Sequence, residues 1–286
     1  MLAGSQDDCA PGCPNLRAGT QPRVLMVPAR FSNTFMWLLL CSAQDASAHW
    51  AYEGLRARGL LPLELVTAEM LLQSRKWEHR VDASGASISI TLADGRVINN
   101  KAVRGTLNRL TYVPLQPLEG TPDYDYATQE YAAFFMSWLY ALPPPILNGA
   151  AAQGLSGAWR HVSEWVSLAA KAGLPTPSYR QTSHDTIDEK QEMRKLFPNG
   201  TPTTLAIAVG NRVVGPTLPL GIRDGCLRLA QLAQTPLLGI EFVRHTSSDS
   251  WSFAGATHMP DLRLGGEPLL DALAAELFRP RTSSPS

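Results

Sequence analysis

Residues 43–66, AQDASAHWAYEGLRARGLLPLELV, decide the fold class. Over 43–59, Ala46, Trp50, Leu55 and Arg58 sit among good helix formers, and Gly59 supplies the C-terminal stop that a helix favours. Leu61, Leu63, Leu65 and Val66 then read as a strand, and a short helix follows at 68–72. Upstream, Arg23-Val24-Leu25-Met26-Val27-Pro28 is an apolar run after polar residues, the pattern of a buried first strand. Strand, helix, strand is the opening of an α/β unit.

Downstream the period changes to two. Val81, Ile88, Ile90 and Leu92 alternate with polar residues over 77–103, around the turn Ala93-Asp94-Gly95-Arg96, which predicts a β-hairpin. A core strand follows at 102–107, then a long helix over 123–142. Its Tyr131, Phe134, Phe135, Trp138 and Leu139 recur at helical spacing and read as a core-facing stripe. Pro143-Pro144-Pro145 ends that helix. Ile146-Leu147-Asn148-Gly149 reads as a short strand and turn, and 157–172 as an amphipathic helix closed by Gly173. The polar stretch 182–202 reads as a solvated helix or linker. Beyond it come a hairpin (203–209 and 213–215), a helix (225–234), strands at 239–243 and 251–254, and a last helix at 268–278.

Composition excludes several classes of function. With 286 residues, 44% of them hydrophobic, the chain can build one large core or two modest ones. Its 25 basic and 25 acidic residues cancel, so no overall basic field draws it to nucleic acid or anionic lipid. The longest apolar run, Phe35 to Cys41, stops far short of the ~20 residues that span a bilayer. Asp7 and Asp8 in the first twenty residues do not suit a secretory signal, so a cytoplasmic location is expected. Cys41 and Cys226 read as small core residues. Cys9 and Cys13 are either half of a metal site, a redox pair, or part of a flexible arm, and no second Cys/His pair at ligand spacing follows.

Three segments resemble a known family. The first runs from Val103-Arg104-Gly105-Thr106-Leu107-Asn108-Arg109-Leu110 through the aromatic helix with Glu130 to Ile146-Leu147-Asn148-Gly149. The second is the helix ending in Ala172-Gly173-Leu174-Pro175-Thr176-Pro177. The third joins residues 206–214, Leu238-Gly239-Ile240-Glu241-Phe242-Val243 and Met259-Pro260-Asp261-Leu262. Their order resembles the ATP-grasp superfamily, in its glutathione-synthetase-like and RimK-like carboxylate-amine ligases. The resemblance implies an α/β fold: a flexible arm (1–21), a Rossmann-like N-terminal domain (22–150), a reduced ATP-grasp-like α+β domain (151–278) and a tail (279–286).

The departures shape the functional expectation. Such a ligase needs a strand lysine, a Gly-rich flap over the phosphates and acidic residues that hold Mg²⁺. The stretch between Pro175 and Thr203 is too short for the nucleotide-clamping subdomain that carries the first two. Glu241 stands where the family places an acid after the core strand, but the Glu-x-Asn positions read Gly255 and Thr257. His258 beside them reads as an ordinary packed or surface residue. The expectation is therefore a non-catalytic pseudo-ligase, with no cofactor, no metal and no catalytic residue, that binds a peptide or protein partner, with a homodimer on the aromatic helix as a further option. The alternative is an ATP-dependent carboxylate-amine ligase with an atypical nucleotide site that uses ATP and Mg. Candidate cleft residues are Arg104, Asn108, Arg109, Asn148 and Glu241. An arginine fork at a strand end suits carboxylate or phosphate, or it is solvated or paired with a neighbour such as Glu130.

Overall fold

Leu38, Leu39, Leu40 and Cys41 are completely withdrawn from solvent in a computed structural model of the chain. The structure describes residues 35–83, 85–112, 120, 122–180, 196–198, 200–245 and 248–279. These belong to the compact unit Thr34–Ser286. Strand β1 (Met36–Cys41) lies between β2 (Leu63–Thr67) and β6 (Val103–Asn108), parallel to both, and β7 (Ile146–Leu147) completes the order β2-β1-β6-β7. A central parallel strand is buried on both faces, which is why this run is continuously apolar. Trp37, Leu39 and Cys41 enter one core, and Leu38 and Leu40 the other.

The strand expected at 23–28 lies outside the described residues, as do the arm, Cys9, Cys13, most of the polar linker and the last seven residues. The run at 35–41, notable in the sequence only for being too short to span a membrane, is instead the strand that α1 (Ala46–Ala57) connects to β2. Asp45 caps α1, its Oδ1 accepting from the Ala48 N–H at 2.9 Å.

The expected hairpin is a three-stranded antiparallel sheet, β3 (Lys76–Asp82), β4 (Gly85–Thr91) and β5 (Val97–Asn99), because the chain also turns between β3 and β4. Ile88, Ile90 and Leu92 are buried in it, whereas Val81 is exposed. The short helix α2 (Ala68–Leu72) and the long α3 (Tyr124–Ala141) pack on the same core. In α3 only Phe135, Trp138 and Leu139 are fully buried. Phe134 is 44% exposed, so the buried stripe is narrower than its spacing suggests.

The second half holds α4 (Val162–Lys171), β8 (Thr204–Val209), β9 (Arg212–Val214), α5 (Leu220–Leu232), β10 (Leu237–His245), β11 (Ser250–Thr257) and α6 (Gly266–Leu277). Its four strands form an antiparallel sheet in the order β11-β10-β8-β9. Helix α4 starts later than its sequence pattern, at a His161 cap, and α5 starts earlier. Helix α6 is shared by both halves. Its Leu269, Leu273 and Leu277 join Ile207, Val209 and Leu237 to Leu39, Leu55 and Leu107 in one core. Gly54 makes that contact possible, since a Cβ there would fall 2.3 Å from Leu270 Cδ1. No helix among the described residues is long and apolar enough to cross a membrane.

Candidate functional site

Three of the five cleft candidates converge, at the C-terminal end of β6, where the two halves meet. Asn108 donates through Nδ2 to the carbonyls of Asn148 (2.9 Å) and Leu155 (2.7 Å), and its Oδ1 accepts from the Leu110 N–H at 3.1 Å. Asn148, at φ 61°, donates to the carbonyls of Leu237 (2.9 Å) and His258 (2.7 Å) and accepts from the Leu237 N–H at 3.1 Å. Arg109 donates through Nε to Asp45 at 2.7 Å and through Nη1 to the Pro260 carbonyl at 3.1 Å. All three residues are buried. Their polar atoms are spent on joining strands, as buried polar groups require, and they stitch β6 and β7 to β10 and the 258–260 segment.

Arg104 does not belong with them. It lies toward the opposite end of β6 and is exposed, and its guanidinium stacks 4.8 Å from the Phe35 ring centroid and 5.3 Å from that of Trp37. Four residues of extended strand separate it from Asn108, on the order of 13 Å. Its neighbours are these aromatic faces and not Glu130.

Glu241 occupies a different setting. It lies on β10 opposite Gly255 on β11 and Leu205 on β8, and Gly239 two residues earlier pairs with Thr257. The β10–β11 register shifts between Glu241 and Phe242, placing Ala254 as an extra residue on β11, a local irregularity of the kind common beside binding sites. Here the sheet lines a cavity of about 380 Å³ whose walls include Trp165, Phe197, Phe253 and Thr201. Glu241 is the single ionisable residue of its described lining. It is partly buried and makes no hydrogen bond or ion pair among the described residues.

The neighbouring positions explain what this carboxylate faces. A Cβ placed on Gly255 would meet no heavy atom within 4 Å, so the space opposite Glu241 is open. Thr257 Oγ1 accepts from the Met259 N–H at 3.0 Å, fixing the turn into Pro260. Burial, and then the charges of Arg109 and Arg160, hold the His258 imidazole below its ordinary range, so the neutral ring is favoured there. Among the described residues no group of three or more His, Cys, Asp and Glu side chains could hold a metal ion. A nucleotide-bound Mg²⁺ takes one or two protein carboxylates beside the phosphates. Glu241 fits as one such ligand, while the described lining offers no cation to the phosphates themselves.

Sequence reasoning missed Asp45, Arg160, Trp165 and the 196–203 segment. Asp45 falls inside the helix expected from residue 43 and is its cap in the structure, and its pairing with Arg109 spans 64 residues and has no local signal. The cavity walls come from α4, β11 and 196–203, which only folding brings together.

No family model and no curated protein matches this sequence. Solved structures do match its fold. The macrocyclase MdnC from Microcystis aeruginosa, bound with precursor peptide MdnA, aligns with a TM-score of 0.62 at 14% identity, covering 85% of this chain and 99% of that one. A RiPP-associated ATP-grasp ligase from Chryseobacterium gregarium, in complex with ADP and a leader and core peptide, aligns with a TM-score of 0.60 at 12% identity, covering 87% and 98%. The ATP-grasp ligase PsnB, complexed with minimal precursor, Mg and ADP, aligns with a TM-score of 0.59 at 16% identity, covering 85% and 98%. The chain shares the fold of these ATP-grasp proteins, each of which was solved with a precursor or leader and core peptide bound. These comparisons correct one expectation. Departures from a motif led the sequence reading to no cofactor, yet proteins that share this fold over nearly their whole length hold ADP and Mg.

Proposed function

We propose that this chain is a peptide-binding ATP-grasp-like protein that does not itself form acyl phosphates, a pseudo-ligase serving a peptide-modifying system. In this reading residues 22–150 are a Rossmann-like unit, 151–278 a reduced ATP-grasp unit, and Glu241 the cleft residue that meets ligand. The observation that carries the reading is the pairing of Glu241 with Gly255, a residue with no side chain, while the Thr257 hydroxyl is held by a turn. One carboxylate remains where the ligases of this family are expected to use several acidic and amide oxygens. Asn108, Arg109 and Asn148 serve the scaffold in this reading, because their hydrogen-bonding capacity is already used.

A second reading, an ATP-dependent carboxylate-amine ligase with an atypical nucleotide site, is favoured by the ADP and Mg held by similar folds. The two are separated by measuring ADP release from Mg·ATP in the presence of candidate precursor peptides. The pseudo-ligase reading expects no turnover above background. Turnover that disappears in Glu241→Gln favours the ligase. The reciprocal experiment installs the missing pair as Gly255→Glu with Thr257→Asn. The open space at Gly255 accommodates the new side chain, and Mg-dependent nucleotide affinity should rise at least tenfold over the parent chain.

A further inference from the structure

We infer that this chain associates with a second copy of itself along the edge of β3, the two strands pairing antiparallel about a two-fold axis at His79. Two three-stranded sheets then join into one continuous sheet. The inference is independent of the pseudo-ligase reading. Strand β3 ends its sheet in the order β3-β4-β5, and its consecutive residues His79, Arg80, Val81 and Asp82 are exposed. A terminal strand turns backbone donors and acceptors outward and is a template for another strand.

The order of side chains in Lys76-Trp77-Glu78-His79-Arg80-Val81-Asp82 selects the occupant. The register with β4 sorts them by face. Trp77 and His79 lie opposite the buried Ile90 and Ile88, and His79 Nδ1 is 3.5 Å from Ser137 Oγ on α3. Val81 shares that face by the alternation of a strand. Lys76, Glu78, Arg80 and Asp82 take the other face, where positive and negative charges alternate. Reversed, as the strand of a second copy runs, this sequence is its own complement. Lys76 meets Asp82, Trp77 meets Val81 and Glu78 meets Arg80, each pair occurring twice because a two-fold interface uses the same patch from both copies.

Neighbouring registers are rejected. A slip of two residues in one direction opposes Glu78 to Asp82 and Arg80 to Arg80, and in the other Lys76 to Arg80 and Glu78 to Glu78. Parallel pairing in register sets every charge against itself. Like charges directly opposite destabilise a strand pair. Edge charges that guard against pairing repel a copy, whereas these attract one in a single register. Apolar contact agrees with charge. Val81, 73% exposed, comes opposite the partner's Trp77, an aromatic and β-branched pair of the kind that stabilises sheets. Lys76 Nζ and Arg80 Nε each lie 3.1 Å from a Glu78 carboxylate oxygen, so pairing extends an existing row of charges into a network across the two strands.

The test is sedimentation velocity of the full chain over a range of concentrations. A monomer–dimer equilibrium is expected, with a limiting mass twice 31.1 kDa. Glu78→Arg and Arg80→Glu should each weaken the dimer by about tenfold, since two attractive pairs per dimer become repulsive. Circular dichroism should show both variants folded. Mixed in equal amounts, the two variants should associate with each other, because each supplies the sign the other lacks, and the double variant should recover self-association. A chain that stays monomeric at every concentration overturns the inference, as does a dimer indifferent to both reversals. Single variants that dissociate and do not associate when mixed overturn the register. Tyr126 and Tyr140, 68% and 62% exposed on α3, provide the competing surface. A dimer dispersed by Tyr126→Ser with Tyr140→Ser, and unaffected by the charge reversals, would move the interface to that helix and overturn the β3 pairing.

Discussion

The seam formed by Asn108, Arg109 and Asn148 and the cavity at Glu241 both hold polar side chains away from bulk water, and they differ in what satisfies them. In the seam, the two asparagine side chains reach backbone groups on both sides, and Arg109 has a carboxylate 2.7 Å away. In the cavity, the carboxylate has no partner among the described residues, and the space at the facing Gly255 is open. Burial alone therefore does not mark a binding residue. A polar group whose donors and acceptors are already matched holds the fold together, and one left unmatched is available to a ligand.

The largest expected effect breaks the seam. Arg109→Met strands the Asp45 carboxylate at a site where their side chains are 4% and 11% exposed. It should cost about 3–5 kcal/mol in urea unfolding. The double variant with Asp45→Asn should recover part of that loss, and strict additivity of the two would show that the pair is not coupled. Next, Asn148→Ala removes three hydrogen bonds at a left-handed backbone position, an effect on the order of 3 kcal/mol. Asn148→Gly accepts the same φ without strain and should cost less. If the two variants are equally destabilised, the backbone conformation contributes nothing and the hydrogen bonds account for the whole cost.

A smaller effect is pH-dependent. The folded state disfavours protonated His258, so the unfolded chain binds the proton more readily. Its contribution to stability is fully present above the unfolded value of 6.5 and is lost as pH falls from there through the lower folded value. His258→Gln should flatten the stability profile in that window, which denaturation midpoints at a series of pH values would reveal. The smallest effect lies in the cavity. Glu241→Gln should change stability by no more than about 0.5 kcal/mol, because nothing among the described residues depends on that carboxylate. A loss comparable to that of Asn148→Ala would place Glu241 with the seam and erase the contrast.

Much of the fold was legible locally. Helices α1 and α3, the hairpin β8–β9 and strands β2 and β6 follow from periodicity, a Gly stop, a proline run and turn residues. The register of β1 was not, because a continuously apolar run carries no period and its strand character comes from layers on both faces. The candidate site divided in the same way. Glu241 was singled out through the family resemblance, while Arg104, Asn108 and Arg109 looked like one cluster because they are close in sequence. A strand separates its ends by more than 3 Å per residue, so Arg104 stacks on Phe35 and Trp37 while Arg109 reaches Asp45 and Pro260.

What the sequence determined by itself is the set of local choices: where helices stop, which strands alternate, and that overall charge is balanced. Those depend on interactions between residues near one another in the chain. Only the tertiary structure decided that α6 joins both halves in one core and that Asn148 bonds to the backbone of Leu237 and His258. Each of these pairs groups brought together across long loops. The hydrogen bonds and buried apolar contacts that select one such pairing over another form only when the whole core closes.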